Sequence, residues 1–175
     1  MPTLQVQEAY SFYRRYILDY SRNKARIYDQ YGFSLQGSVG SKDWEVFAAI
    51  LLNDRARRGD GADLENYEVK SAVIGSSFEY QYHRNRGLNK LTDDREVDHI
   101  FVARSADYMN VEVWLVERTK MFSTFDRWLP ELLQNYETAE RQRFRRSITY
   151  GFVRSQGIRL IEISDGELIH YFEAT

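Results

Sequence analysis

The sequence contains no cysteine, only two prolines and only ten glycines among its 175 residues. Without cysteine, neither a disulfide framework nor a thiolate zinc site can form. No run approaches the roughly 18 consecutive apolar residues of a membrane span, and the first residues lack the basic-then-apolar layout of a secretory signal. We therefore expect a cytoplasmic protein that makes no membrane contact.

Neither sign of charge is in large excess: the sequence has 24 Lys and Arg against 26 Asp and Glu. This balance argues against a polybasic coat for nucleic acid, but four arginines stand close together between residues 141 and 146. A local basic face can meet phosphates even on a neutral protein, although such a run is also typical of a solvated helix face. With 43% apolar residues the chain can bury a core, and its length predicts one domain.

Three helical segments are predicted from the spacing of apolar residues. The opening segment, residues 1–36, places tyrosines at helical intervals. Ser41 is a good N-cap for a second helix with a wide apolar stripe. A third helical region is predicted from Ser123 to about Arg146, kinked or divided at Pro130.

Strands are predicted between and after these helices. They are a hairpin over residues 62–74 with its turn at Glu65-Asn66, two strands at His99–Ala103 and Val111–Val116, and a closing hairpin around Asp165-Gly166. Residues 75–95 are predicted to form a long polar and aromatic loop. This order of elements predicts an α/β domain with a mixed β-sheet flanked by α-helices, in two or three layers.

The predicted hairpin carries the residues that could perform chemistry. Glu68 and Lys70 are two apart on one strand and share a face, and a two-residue turn would pair Asp63 with Glu68, with Cβ atoms about 5 Å apart. Adjacent carboxylates repel unless a cation joins them, and Mg²⁺ prefers carboxylate and water oxygens. We therefore predict a Mg²⁺ site at Asp63 and Glu68, with Lys70 orienting an attacking water or stabilising a phosphorane. The alternative is an exposed strand face with an ion pair.

Ala62-Asp63-Leu64 followed by Tyr67-Glu68-Val69-Lys70-Ser71 resembles the signature of the PD-(D/E)xK nucleases. The arrangement is most similar to small dimeric type II restriction endonucleases. The resemblance implies a restriction-endonuclease-like core, Mg²⁺-dependent hydrolysis of DNA phosphodiester bonds and a homodimer. It also implies a further catalytic acid on the preceding helix, where Glu45 stands. Ala62 occupies the place of the signature's proline, and Asp60 is an alternative to Asp63 as metal ligand.

The segment over residues 75–95 is rich in residue types that read bases. Arg pairs bidentately with guanine and Asn or Gln with adenine in the major groove, while Lys and Arg hold phosphates. The residues predicted to contact DNA are Gln81, His83, Arg84, Asn85, Arg86, Lys90, Arg141 and Arg145. The alternative is a surface loop whose aromatic residues cover the core by strand alternation.

The expected function is that of a Mg²⁺-dependent type II restriction endonuclease that cuts double-stranded DNA at a short specific site. Residues 37–118 would form its catalytic core, residues 1–36 a dimer contact, and residues 119–175 a helical region and closing hairpin. One alternative is a structure-specific nuclease on the same core, such as a junction resolvase or a repair nicking enzyme. Another is a DNA-binding module without enzymatic activity.

Overall fold

The computed structural model describes residues 3–35, 37–59, 61–137 and 142–172. The helices are α1 (Val6–Phe12), α2 (Asp19–Gln30), α3 (Ser41–Leu52), α4 (Gly87–Arg95), α5 (Arg118–Glu137) and α6 (Tyr150–Gln156), with a π-helical stretch, Tyr13–Leu18, joining α1 to α2. The strands are β1 (Tyr67–Val73), β2 (Phe78–His83), β3 (Asp98–Arg104), β4 (Val111–Val116), β5 (Arg143–Ile148), β6 (Ile158–Ser164) and β7 (Glu167–Tyr171).

The strands form two sheets. The larger has the order β1-β3-β4-β6-β7, in which β1 and β3 are parallel and the other neighbours antiparallel. The smaller is an antiparallel ribbon of β2 and β5. The predicted α/β class with a mixed sheet flanked by helices is therefore confirmed.

Hydrophobic cores lie on both faces of the five-stranded sheet. Because side chains alternate along a strand, Ile100 and Val102 of β3 pack into the core beneath α1 and α3. Phe101 and Ala103 pack into the core shared with α5 and the ribbon. All four are fully buried, so the domain has three layers with the sheet in the middle.

The predicted opening helix and second helix are confirmed, as are β3, β4 and the closing hairpin. The N-cap of the second helix is Gly40 and not Ser41, which is its first helical residue. Asp165 and Gly166 both have positive φ, 52° and 81°, as a two-residue type I′ turn requires. Across the described ranges, no helix is long and apolar enough to span a membrane.

The predicted third helical region is wrong at both ends. The helix begins at Arg118, well before Ser123, runs through Pro130 without dividing and is described as far as Glu137. The residues that follow the gap, from Arg143, form strand β5. Phe144 and Ile148 are its buried residues, and their four-residue spacing fits a helix face as well as a strand face, which explains the error.

The predicted loop over residues 75–95 is also wrong, since it folds into β2 and α4. Phe78, Tyr80 and Tyr82 are buried at alternate positions. The alternative interpretation, in which aromatic residues cover the core by strand alternation, is therefore correct for this part of the segment.

The predicted hairpin over residues 62–74 forms only at its turn. The Leu64 N–H donates to the Tyr67 carbonyl at 2.9 Å, but β1 finds its ladder partner in β3. Leu64 instead bridges to Ala56. The segment before the turn is thus not a strand of the sheet: beyond the Leu64–Tyr67 bond, its hydrogen bonds with β1 involve the side chains of Asp63 and Glu68.

Candidate active site

The structure brings Asp63, Glu68 and Lys70 together. The Asp63 N–H donates to Glu68 Oε2 at 3.0 Å, and Asp63 Oδ2 accepts the Val69 N–H at 3.1 Å. Lys70 Nζ donates to Glu68 Oε1 and lies 3.8 Å from Asp63 Oδ2. Val69 faces the opposite core, so Glu68 and Lys70 project from β1 toward the layer that holds β2 and α4.

A second lysine joins this group from helix α4. Lys90 Nζ lies 2.9 Å from each of three oxygens: Glu68 Oε1, Asp94 Oδ1 and the Gly61 carbonyl. An ammonium has three N–H donors, so these contacts use all of them. We call Asp63, Glu68, Lys70, Lys90 and Asp94 the acid–lysine cluster.

The acid–lysine cluster holds three carboxyl groups and two ammonium groups. Burial and the neighbouring Glu68 raise the pKa of Asp63 to about 6, and the same two causes raise the pKa of Asp94 to about 7. Burial also acts to raise the pKa of Glu68, but the ammonium groups of Lys70 and Lys90 outweigh it and lower that pKa to about 2. The cluster therefore has one positive charge too few for all its carboxylates to ionise freely.

Lys70 is held in its protonated form. Burial acts to lower its pKa, but the carboxylates of Glu68 and Asp63 raise it above its ordinary value. Its Nζ also lies 5.0 Å from the centre of the Tyr80 ring, a cation–π distance. Lys70 is thus suited to act as a fixed cation or hydrogen-bond donor, and not as a general base.

A neutral buried network anchors the cluster to β3. His99 Nε2 lies 2.9 Å from the Asp94 carbonyl, which can only accept, so this nitrogen carries the proton and Nδ1 accepts from the Tyr80 hydroxyl at 2.7 Å. Burial lowers the pKa of His99 to about 4. The Tyr82 hydroxyl donates to Asp94 Oδ2 at 3.1 Å. His99 is a structural side chain, since both of its ring nitrogens are hydrogen-bonded within the fold.

Asp94 was missed by sequence reasoning. The available signal was the spacing of Lys90 and Asp94, four residues apart, which places them on one helix face. Because the sequence predicts a loop over residues 75–95, this helical spacing does not identify Asp94 as a site residue.

Glu45 lies beside the cluster on α3. It forms an ion pair with the exposed Lys42, one turn earlier on the same helix. Its charge is among those that raise the pKa of Asp63. The predicted additional acid therefore acts electrostatically on the cluster, and its carboxylate is paired with Lys42.

The outer face of the β2–β5 ribbon carries three of the predicted DNA-contacting residues. Gln81 stands opposite Arg145, and His83 stands opposite Arg143, because alternate residues of paired strands share a face. The opposite face buries the aromatic residues. The structure therefore adds Arg143 to the basic and amide groups expected there.

The other predicted DNA-contacting residues lie at the end of the ribbon or elsewhere. Arg84, Asn85 and Arg86 are exposed in the turn between β2 and α4. Lys90 belongs to the acid–lysine cluster and directs its ammonium inward. Arg141 lies outside the described residues, as does Asp60, the alternative metal ligand.

A cavity of about 330 Å³ joins the ribbon to the cluster. Its lining residues are Gly59, Gly61, Gln81, His83, Arg86, Gly87 and Lys90. Residues predicted to read DNA and the Lys90 side chain thus line one space.

Asp63 and Glu68 are the carboxylates of the cluster that could hold a hard cation. In the part of the chain that the structure describes, no group of three or more His, Cys, Asp or Glu side chains is arranged to hold a metal ion. Mg²⁺, however, is usually bound by one or two carboxylates, with water and phosphate as its other ligands. Asp63 and Glu68 supply two carboxylates in a cluster that has an excess of negative charge.

Sequence comparison adds no assignment to this geometry. The sequence matches no protein-family model, and no curated protein matches it significantly. The acid–lysine cluster and the ribbon are therefore the features from which the function of the chain is inferred.

Proposed function

We propose that this protein is a Mg²⁺-dependent type II restriction endonuclease that hydrolyses phosphodiester bonds of double-stranded DNA at a short specific site. The observation that carries the proposal is the convergence of Asp63, Glu68 and Lys70 in a partly buried cluster with too little positive charge. The cavity that links this cluster to the polar face of the ribbon supports DNA as the substrate.

Each residue of the cluster has a chemical role in this proposal. Asp63 and Glu68 would hold the ion, which when bound lowers the pKa of a water and neutralises phosphate charge. Lys70 would hold the attacking water or stabilise the negative charge that develops on the phosphate oxygens. Since Lys70 is already fixed by Glu68, it needs no rearrangement to do so.

The ribbon would recognise the DNA. The major groove of B-DNA admits a two-stranded β-ribbon, and the outward face of β2 and β5 presents Gln81, His83 and Arg145 together. Arg and Gln side chains can contact guanine and adenine edges there. Arg84, Asn85 and Arg86 extend the same surface toward the cavity.

The opening helical segment would form the dimer contact. Large side chains at its end are exposed, Tyr31 at 75% and Phe33 at 68%, and together with Ile27 and Tyr28 they line an open apolar cavity of about 380 Å³. A second protomer that covered this face would create two-fold symmetry, which suits a symmetric DNA site.

The proposal is tested by incubating long duplex DNA with the purified protein, with and without Mg²⁺. A fixed set of fragments that requires Mg²⁺ is expected. Cutting confined to branched or nicked substrates would favour the structure-specific nuclease, and DNA binding without cutting would favour the non-enzymatic module.

Lys70→Ala should abolish Mg²⁺-dependent cutting and retain specific DNA binding, because the ribbon is unchanged. Lys120→Ala, at an exposed position on α5, is the matched control and should cut like the parent protein. Cleavage preserved in Lys70→Ala would refute the proposed active site.

A further inference from the structure

The Lys90 ammonium occupies a position that resembles a cation site. Three oxygens surround its Nζ at 2.9 Å, two from carboxylates and one from a backbone carbonyl. One of them, Glu68 Oε1, also accepts a hydrogen bond from Lys70. The side chain of Lys90 is 26% exposed and lines the cavity that opens toward the ribbon.

We infer that Lys90 is a built-in second cation of the proposed active site, so that each chain binds a single divalent ion. The inference rests on the proposed function and assigns to this residue the charge neutralisation that a second ion provides in other phosphoryl-transfer sites. In this role Lys90 acts inside the active site, and not as the DNA contact that the sequence predicts.

The geometry of the two carboxylates supports this role. In two-metal sites the ions lie about 3.5–4 Å apart. Here the two fully buried carboxylates that could hold a second ion, those of Glu68 and Asp94, both already bind the Lys90 ammonium. A second divalent ion would have to displace the Lys90 ammonium, which is covalently part of the chain and held by three hydrogen bonds.

The position of Lys90 is fixed before any substrate arrives. Asp94 lies four residues later on α4, and its other carboxylate oxygen accepts a hydrogen bond from the Tyr82 hydroxyl. The Gly61 carbonyl accepts a third hydrogen bond from the ammonium, at 2.9 Å. A charge oriented in this way costs no reorganisation when a phosphate enters the cavity.

Two variants separate a role in chemistry from a role in folding. Lys90→Met removes the ammonium and leaves the carboxylates of Glu68 and Asp94 facing each other. Lys90→Met/Asp94→Asn removes one positive and one negative charge, so the net charge of the cluster is unchanged and the fold is protected from an unpaired buried carboxylate.

The first measurement counts bound Mn²⁺ per chain by electron paramagnetic resonance, which does not depend on activity. The wild-type protein and the double variant should each bind one ion. Lys90→Met should bind two, because it frees a pair of carboxylates. The inference is overturned if the wild-type protein binds two ions, or if a folded Lys90→Met still binds one.

The second measurement compares cleavage rates of the same proteins. The double variant should unfold in urea like the wild-type protein yet cut DNA about 100-fold more slowly, the loss typical for removal of one preorganised electrostatic group. Cutting by the double variant at the wild-type rate would show that Lys90 only supports the fold, and would overturn the inference alone. If the wild-type protein neither binds Mn²⁺ nor cuts, the proposed function fails and the inference fails with it.

Discussion

Replacing Asp63 with asparagine should stabilise the metal-free protein. The Asp63 side chain is 21% exposed, and burial and Glu68 raise its pKa to about 6, so the folded state disfavours its ionised form. An asparagine carbonyl can still accept the Val69 N–H but brings no charge. The substitution therefore removes an electrostatic cost and keeps the hydrogen bond that ties the turn to β1.

The expected size of the effect follows from the pKa. The rise from the ordinary value of 3.8 to about 6 corresponds to about 3 kcal/mol, at about 1.4 kcal/mol for each pH unit. Because the pKa is higher in the folded state, the folded state binds the extra proton. Stability from this group is full below about pH 4 and is lost as the pH rises to about 6. The advantage of Asp63→Asn should therefore grow by about 2 kcal/mol between pH 4.5 and pH 8.

Urea unfolding in EDTA, followed by the fluorescence of the three tryptophans, measures this difference at both pH values. Asp126→Asn is a suitable control, because Asp126 is mostly exposed and forms a surface ion pair with Arg95. It should change stability by less than about 1 kcal/mol, in the destabilising direction. The reasoning is refuted if Asp63→Asn is less stable than the wild-type protein at pH 8, or if its advantage does not depend on pH.

Three further outcomes are expected. Since burial lowers the pKa of His99 to about 4, this group should lower the free energy of unfolding by about 2 kcal/mol as the pH falls from 7 to 5. Urea unfolding of His99→Gln should lack that pH-dependent loss, and an unchanged dependence of stability on pH would contradict the prediction. Gly87→Ala should lower the free energy of unfolding by about 1–3 kcal/mol, because the added Cβ would collide with the Tyr136 hydroxyl. In the control Gly151→Ala the added Cβ meets no atom within 4 Å, so stability should not fall; equal effects of the two variants would refute the packing argument. Arg145→Ala should weaken DNA binding by about 1–3 kcal/mol and relax preference at one base pair, measured by competition binding; uniform weakening on every sequence would instead mark a phosphate contact.

The parts of the fold that could be predicted are those whose partners are near in sequence. The turn at Asp165-Gly166 joins β6 to β7, and β3 is followed directly by β4. By contrast, β2 pairs with β5, more than sixty residues later. Local patterns do not reveal such a pairing, and so the sequence alone predicts a loop where β2 forms and part of a helix where β5 forms.

The same distinction applies to the candidate site. Asp63, Glu68 and Lys70 lie within eight residues of one another, and a tight turn was enough to predict that they meet. The predicted ladder between residues 62–64 and β1 does not form, because the Asp63 carboxylate itself accepts the Val69 N–H of β1. Lys90 and Asp94 reach the cluster only because α4 packs against β2, which is a contact of tertiary structure.

The surroundings of the cluster limit which group can respond to an incoming cation. Burial keeps His99 neutral near pH 7, and it raises the pKa of Tyr80 and of Tyr82, so neither hydroxyl ionises there. Glu68 is already ionised and paired. Of the two carboxyl groups with a raised pKa, Asp94 is fully buried and bound to Lys90, whereas Asp63 is partly exposed. The charge deficit of the cluster is therefore accessible from solvent at Asp63, and an ion held there, as proposed, would leave intact the bond between His99 and the Asp94 carbonyl that joins α4 to β3.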